Sequence, residues 1–110
     1  MEFSKTLEEY EQTTTNNDQT LIFKHSTQCP ISAAAKKEVD AFIQETNAPY
    51  VAIRVIEERP LSNEVAKQTG ITHQSPQAII LQKQKPIYNT SHREITKKQL
   101  LEAWNSAKNS

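Results

Sequence analysis

The chain has 110 residues, enough for one compact domain, which we predict to span residues 1–110, and too few for two ordinary domains. Lys plus Arg and Asp plus Glu each number 13, and the resulting net charge of zero argues against a nucleic-acid-binding surface. Hydrophobic residues make up 35% of the chain in short bursts, which is typical of a globular domain, and no apolar run approaches the roughly 20 residues of a membrane helix.

The first predicted elements are a helix and a buried strand. The helix runs from Thr6 to about Asn16, because Thr6 and Glu9 have the spacing of a capping box. Three apolar residues are expected to share its buried face: Phe3, Leu7 and Tyr10. The segment Thr20–Lys24 is a short, continuous apolar run, as expected for a strand that is covered on both faces.

A second helix, from about Pro30 to Thr46, and a second strand, Tyr50–Val55, come next. The strand is rich in β-branched residues. Apolar residues at helical spacing give the helix its buried stripe: Ala35, Val39, Phe42 and Ile43.

The third helix is predicted from about Pro60 to Thr69. Gly70, the only glycine in the chain, lies where a helix commonly ends in a left-handed residue. The residues that this helix is expected to bury are Leu61, Val65 and Ala66.

Two strands and a helix complete the chain. Gln77–Gln82 and Lys85–Thr90 are close enough in sequence to form a hairpin. The last helix begins after Thr96, since Thr96 and Gln99 have capping-box spacing. The order α-β-α-β-α-β-β-α, with one right-handed β-α-β unit and one hairpin, predicts an α/β fold whose four-stranded mixed sheet is flanked by helices.

The single cysteine, Cys29, lies between the first strand and the second helix. A sulfur at a helix N-terminus meets unpaired N–H groups and the positive end of the helix dipole, which favour the thiolate. Pro30 suits the first helical turn because it has no N–H group to leave unpaired. This placement predicts thiol chemistry, whereas the alternative is an inert buried thiol.

One cysteine cannot form an internal disulfide, which is typical of a reducing compartment. The segment Met1–Tyr10 is charged and lacks the apolar core of a signal peptide. Together these features predict a cytoplasmic protein.

Several residues near Cys29 are candidates to support it. Ser32 stands where a two-cysteine site would carry its second sulfur, and it either donates a hydrogen bond to Cys29 or is a solvated helix residue. Lys24 either lowers the pKa of the cysteine or binds a carboxylate, or it extends to solvent from the strand end. We place Thr27 with these supporting residues.

The order of the elements resembles that of the thioredoxin and glutaredoxin superfamily, in which a strand, a Cys-Pro-x-[Cys/Ser] turn and a helix precede a proline that opens an antiparallel hairpin. More narrowly, the segment Phe23–Ser32 (FKHSTQCPIS) is similar to the signature of the monothiol bacilliredoxins, the YtxJ-type proteins. The segments Ile56–Ser62, His73–Gln77 and Ser91-His92 resemble that family too.

The resemblance implies a thioredoxin-like fold and an enzyme that exchanges thiols with bacillithiol, a low-molecular-weight thiol that serves as co-substrate. Cys29 would attack the bacillithiol sulfur of a protein mixed disulfide. The implied partners are bacillithiol, S-thiolated client proteins and a reducing partner that acts in trans. We expect no tightly bound cofactor, no metal, and neither nucleic acid nor membrane as a partner.

The resemblance also implies residues that bind the thiol ligand. Ser75-Pro76 would be a cis peptide facing the cysteine, with the backbone of Ser75 free to hold the ligand, whereas an ordinary trans proline would only open an edge strand. Gln28 and Pro30, which flank Cys29, belong to the same expected set.

The predicted topology brings further loops to the cysteine. The parallel strands and the second hairpin strand end on one side, so the loops at residues 56–59 and 91–93 should surround the sulfur. The N-terminus of the last helix together with Arg59, His92 or Arg93 is therefore a candidate to bind the carboxylates of bacillithiol, the alternative being ordinary solvated charges.

Three other functions remain open. A thioredoxin-fold adaptor with an idle cysteine would have a thiol pKa near or above about 8.5. A carrier that bridges an iron–sulfur cluster between subunits could use the same sulfur. A Cys–His nucleophile pair with His25 lacks an evident acidic partner in the sequence.

Overall fold

A computed structural model describes residues 1–108, so the last two residues of the predicted domain lie outside the described part. The elements follow the predicted order: α1 (Leu7–Asn16), β1 (Gln19–His25), α2 (Pro30–Thr46), β2 (Tyr50–Arg54), α3 (Arg59–Thr69), β3 (Gln77–Gln82), β4 (Lys85–Ser91) and α4 (Lys97–Lys108). A 3-10 turn, His92–Glu94, precedes α4 and was not predicted. Within residues 1–108, no helix combines the length and the apolar character needed to cross a membrane.

The four strands form one mixed sheet in the order β2-β1-β3-β4. β1 pairs with β2 in parallel and with β3 antiparallel, and β4 is antiparallel to β3. This arrangement confirms the predicted four-stranded mixed sheet with helices packed against it.

The two faces of the sheet carry two separate apolar clusters, because successive side chains of a strand point to opposite faces. Leu21 and Phe23 of β1 face α2 and α4, whose buried residues include Phe42 and Trp104. Ile22 of β1 faces the side of α1 and α3. All seven residues of β1 are buried, which confirms a strand covered on both faces.

Helix ends follow the expected chemistry with one difference in detail. The Oγ1 atom of Thr6 accepts a hydrogen bond from the N–H of Glu9 (3.1 Å), but Glu9 Oε1 accepts from the N–H of Lys5 and not from that of Thr6. The Oγ1 atom of Thr96 accepts from the N–H of Gln99 (3.2 Å). Gly70 ends α3 at φ 72°, in the left-handed region that favours glycine.

Two buried positions differ from the prediction. Phe3 lies before α1 and forms an isolated parallel bridge with Ala52, so it extends the sheet edge instead of sharing the face of the helix. In α3 the third buried residue is Ser62 and not Ala66, which is only half-buried. Ser62 can be buried because its polar atoms have partners there: its carbonyl oxygen accepts a hydrogen bond from Lys24 Nζ, and its hydroxyl contacts His73 Nδ1.

Four loops meet at the edge of the sheet that is formed by strand ends. β1 and β2 are parallel, and two successive antiparallel pairings make β4 run in the same direction as β1. The C-terminal ends of these three strands and the beginning of β3 therefore lie together. This edge carries Cys29, the start of α3, the Ser75-Pro76 peptide and the turn at His92.

Candidate active site

Cys29 is the N-cap residue of α2, at the end of a tight turn that follows β1. Its N–H donates to the carbonyl oxygen of Ser26 (3.3 Å), and its own carbonyl accepts from the N–H of Ser32 (3.0 Å). The backbone is extended at Cys29 (φ −114°, ψ 120°), and Pro30 occupies the first helical turn. The thiol is free and partly exposed, so a disulfide in solution can reach it.

The start of α2 favours the charged form of the sulfur. The Cys29 side chain makes no capping hydrogen bond in this geometry. The N–H group of Ser32 nevertheless lowers the pKa of the Cys29 thiol. Partial burial raises this pKa, and the Ile31 N–H and the Ser32 hydroxyl lower it further. A lowered pKa at a helix N-terminus is the usual property of a reactive cysteine.

Ser32 is a buried residue and not a solvated one. It is 0% exposed, and its Oγ atom accepts a hydrogen bond from the N–H of Ser26 (3.3 Å). The burial excludes the solvated interpretation. The hydroxyl thus connects the turn before Cys29 to the first turn of α2, beside the sulfur.

Lys24 neither lies beside the cysteine nor extends to solvent, so the expectations from the sequence are wrong for this residue. It is 0% exposed, and strand alternation directs it to the α3 side of the sheet, where Nζ donates to the carbonyl oxygen of Ser62 (3.0 Å). Burial lowers the pKa of Lys24 to about 8. Lys24 is not among the groups that shift the pKa of Cys29, and its burial leaves no path to a ligand carboxylate at the surface.

The Ser75-Pro76 peptide bond is cis, as the resemblance implied. The register of β1 and β3, with Lys24 opposite Gln77, puts Pro76 beside His25 at the end of β1. The carbonyl oxygen of Pro76 accepts from the N–H of His92 (3.0 Å). The Oγ atom of Ser75 is buried and has no hydrogen-bond partner within residues 1–108.

A groove of about 450 Å³ lies on one side of the cysteine, between α2 and the start of α4. His92, in the left-handed region at φ 56°, and Arg93 give it polar groups, and the helix residues make most of its wall apolar. The residues that line it are Pro30, Ile31, Ala34, Ala35, Glu38, His92, Arg93, Ile95 and Thr96.

The remaining predicted residues are spread around this edge. Thr27 and Gln28 are the exposed central residues of the turn before Cys29, and neither makes a side-chain hydrogen bond to it within residues 1–108. Arg59 begins α3, on the side of the sheet away from the groove, so the structure does not bring it together with His92.

His25 is buried and does not form a nucleophile pair with the cysteine in the described residues. Its ring packs against Phe23 and Phe3, with centroids 5.7 Å away in each case. Its Nδ1 atom has no hydrogen-bond partner within residues 1–108. Burial and the positive charge of Lys36 lower the pKa of His25. No group of three potential metal-ligating side chains is found in residues 1–108.

Sequence reasoning missed the role of His73 in this part of the molecule. His73 Nδ1 lies 3.2 Å from Lys24 Nζ and 3.3 Å from Ser62 Oγ. The available signal was the position of His73 two residues before Ser75-Pro76. A buried partner for it could not be inferred from that position alone.

Comparisons with known proteins show the family and the fold of this chain. The family model described as "Monothiol bacilliredoxin BrxC" matches residues 4–100. A solved protein with a thioredoxin fold, assigned as a candidate oxidoreductase, is 32% identical with a TM-score of 0.88, and the match covers 92% of this chain and 90% of that one.

Two thioredoxins share the fold at lower identity. A mutant thioredoxin of Halobacterium salinarum is 14% identical (TM-score 0.75, 96% of this chain and 87% of that one). Mitochondrial thioredoxin 3 of Saccharomyces cerevisiae is 17% identical (TM-score 0.75, 96% and 94%). With its thioredoxin fold and a family match that spans most of its length, the chain belongs to the monothiol bacilliredoxin family.

Proposed function

We propose that this protein is a monothiol thiol–disulfide oxidoreductase that removes bacillithiol from protein mixed disulfides. The observation that supports it most is the placement of Cys29, the only cysteine, as a partly exposed N-cap residue whose thiolate is stabilised by the first turn of α2. The family match supports the same class of chemistry. Bacillithiol is the proposed co-substrate, and no other bound group is needed for the thiol exchange.

The proposed reaction is one thiol–disulfide exchange. The Cys29 thiolate attacks the bacillithiol sulfur of a client–bacillithiol disulfide, a bond forms between the two sulfurs, and the client sulfur leaves with the electron pair as a thiolate that takes a proton from solvent. Cys29 now carries bacillithiol. Because Ser32 cannot resolve this adduct, a second thiolate in trans, from a low-molecular-weight thiol or a reducing partner, attacks it and releases Cys29.

The residues around the sulfur are proposed to hold the bacillithiol part of the disulfide. The backbone of Ser75, next to the cis Pro76, offers hydrogen bonds to an extended ligand. Gln28 and Pro30 flank the sulfur. The malate group of bacillithiol carries two carboxylates, and His92 and Arg59, which lie on opposite sides of the sheet, are alternative partners for them.

The test is an exchange reaction followed by intact mass measurement. A client protein that carries one bacillithiol is mixed with the parent protein and with Cys29→Ser. The variant should keep the fold, because serine is a favoured N-cap residue. We expect the parent to gain one bacillithiol while the client loses it, and the variant to do neither.

Three other outcomes would count against the proposal. Release of bacillithiol by Cys29→Ser would show that Cys29 is not the nucleophile. A parent protein that takes up no thiol would leave an adaptor with an idle cysteine as the better interpretation, and visible absorbance after anaerobic purification would indicate an iron–sulfur carrier.

A further inference from the structure

A polar cluster on the α3 side of the sheet has no role in the reaction as described above. Lys24 Nζ donates to the carbonyl oxygen of Ser62 at 3.0 Å and lies 3.2 Å from His73 Nδ1. The hydroxyl of Ser62 lies 3.3 Å from the same ring nitrogen. Within residues 1–108, no carboxylate lies at ion-pair distance from Lys24, so the ammonium group is buried with neutral partners.

This cluster fixes the tautomer of His73. An ammonium group has hydrogen atoms to donate and no lone pair, so the nitrogen that faces it must be the acceptor. Nδ1 therefore carries the lone pair, and the proton is on Nε2. Burial and the positive charges of Lys24 and Arg59 lower the pKa of His73, which favours the neutral ring.

The free edge of the ring points away from the cluster, on the loop that leads to the thiol site. His73 as a residue is exposed although its Nδ1 contacts a buried group, so Nε2 lies on the outer side. No hydrogen bond to Nε2 is present among the described residues. His73 precedes Ser75 by two residues, and the loop is anchored by the side-chain amide of Gln77, which donates to the carbonyl oxygen of Thr72 (3.0 Å).

We propose that Lys24 and Ser62 hold His73 as a neutral hydrogen-bond donor, and that its Nε2–H contacts a carboxylate of the thiol ligand bound between Cys29 and Ser75. The ligand contact rests on the proposed bacillithiol function. Arg59, whose charge acts on His73, favours a carboxylate over a neutral acceptor at this position. Lys24 is then a positioning residue that acts through His73, and His73 selects for the acidic thiol.

The first test concerns the tautomer and does not depend on any substrate. Nitrogen NMR of the full chain at pH 7 distinguishes the two ring nitrogens of His73. We expect the parent to carry the proton on Nε2, and Lys24→Met to show a mixture of both tautomers. A parent ring that is protonated on Nδ1, or on both nitrogens, would overturn the positioning role.

The second test compares two disulfides, oxidised bacillithiol and hydroxyethyl disulfide, which has no carboxylate. The rate constant for adduct formation on Cys29 is measured with each, and their ratio is the specificity. Loss of a hydrogen bond to a charged acceptor costs roughly a factor of ten or more. We expect His73→Leu to lower the ratio about tenfold, His73→Gln to retain part of it through its amide donor, and Gln74→Ala to leave it unchanged.

The outcomes separate this inference from the proposed function. If the parent prefers oxidised bacillithiol and His73→Leu keeps the same ratio, the ligand contact is wrong while the function stands. If the parent has no preference, the bacillithiol assignment fails and the ligand contact fails with it. The NMR result then decides whether Lys24 positions His73. Because His73 is exposed, its variants are expected to fold.

Discussion

Replacing Lys24 by methionine tests whether a buried ammonium group lies between the sheet and α3. Methionine is unbranched and fits the space of the lysine chain. In the folded protein, burial lowers the pKa of Lys24 from 10.5 to about 8. The difference corresponds to about 3 kcal/mol, which is the cost of burying the charged form at neutral pH.

The sign of the pH dependence follows from proton counting. Between pH 8 and 10.5 the unfolded chain holds the Lys24 proton more often than the folded protein, so the free energy of unfolding rises with pH. The cost is fully present below pH 8 and is relieved as the pH rises. Relative to Lys24→Met, the parent should gain about 2.5 kcal/mol between about pH 7 and about pH 10.

The assay is denaturant unfolding of both proteins at several pH values, followed by the fluorescence of Trp104, which is 4% exposed in the core. At pH 7 the two stabilities should be close, because methionine removes the buried charge but leaves the Ser62 carbonyl without its donor and His73 Nδ1 with the Ser62 hydroxyl alone. Tyr10, whose pKa is raised to about 12, is present in both proteins and cancels from the difference.

The matched control is Lys67→Met, which removes an exposed lysine from α3. A stability difference between parent and Lys24→Met that is constant from pH 7 to 10 would refute the buried ammonium group. An equally large pH dependence for the control would attribute the effect to net charge and not to burial.

Three further predictions concern the cysteine and α4. Ser32→Ala should raise the pKa of Cys29, which would shift the pH profile of alkylation by iodoacetamide to higher pH. The control Ser26→Ala keeps the Ser32 hydroxyl and should shift the profile less. Equal profiles for the parent and Ser32→Ala would contradict the role of the hydroxyl. Ser32→Cys should shorten the life of the bacillithiol adduct by forming an internal disulfide, which intact mass would show, and an adduct as persistent as that of the parent would refute this geometry. Thr96→Ala should lower the free energy of unfolding by about 1 kcal/mol through loss of the bond from Gln99, and an unchanged urea midpoint would mean that this cap is not stabilising.

Local sequence signals predicted the elements well. The bounds of α2 and β3 agree with the structure, because Pro30, the apolar stripe and the flanking polar residues each indicate the same element. Gly70 ends α3 as predicted, since few other residues adopt its backbone conformation readily. The cysteine site could be located in the same way, from a strand, a turn and a helix start.

What could not be predicted depends on contacts between distant segments. A continuous apolar strand has no alternation to show which face each side chain takes, so the sequence could not place Lys24 under α3. The contact of Lys24 with His73 joins residues 49 positions apart. Phe3 pairs with Ala52 for a similar reason, because an extended terminal segment gains hydrogen bonds at a sheet edge that no local pattern indicates.

The central claim is that folding stabilises the Cys29 thiolate through the first turn of α2. Ultraviolet titration of the thiolate, in the native protein and in denaturant, measures this directly because the chain has one cysteine. We predict that the native thiol ionises at lower pH than the unfolded one. Ionisation at the same or a higher pH in the native protein would contradict the account.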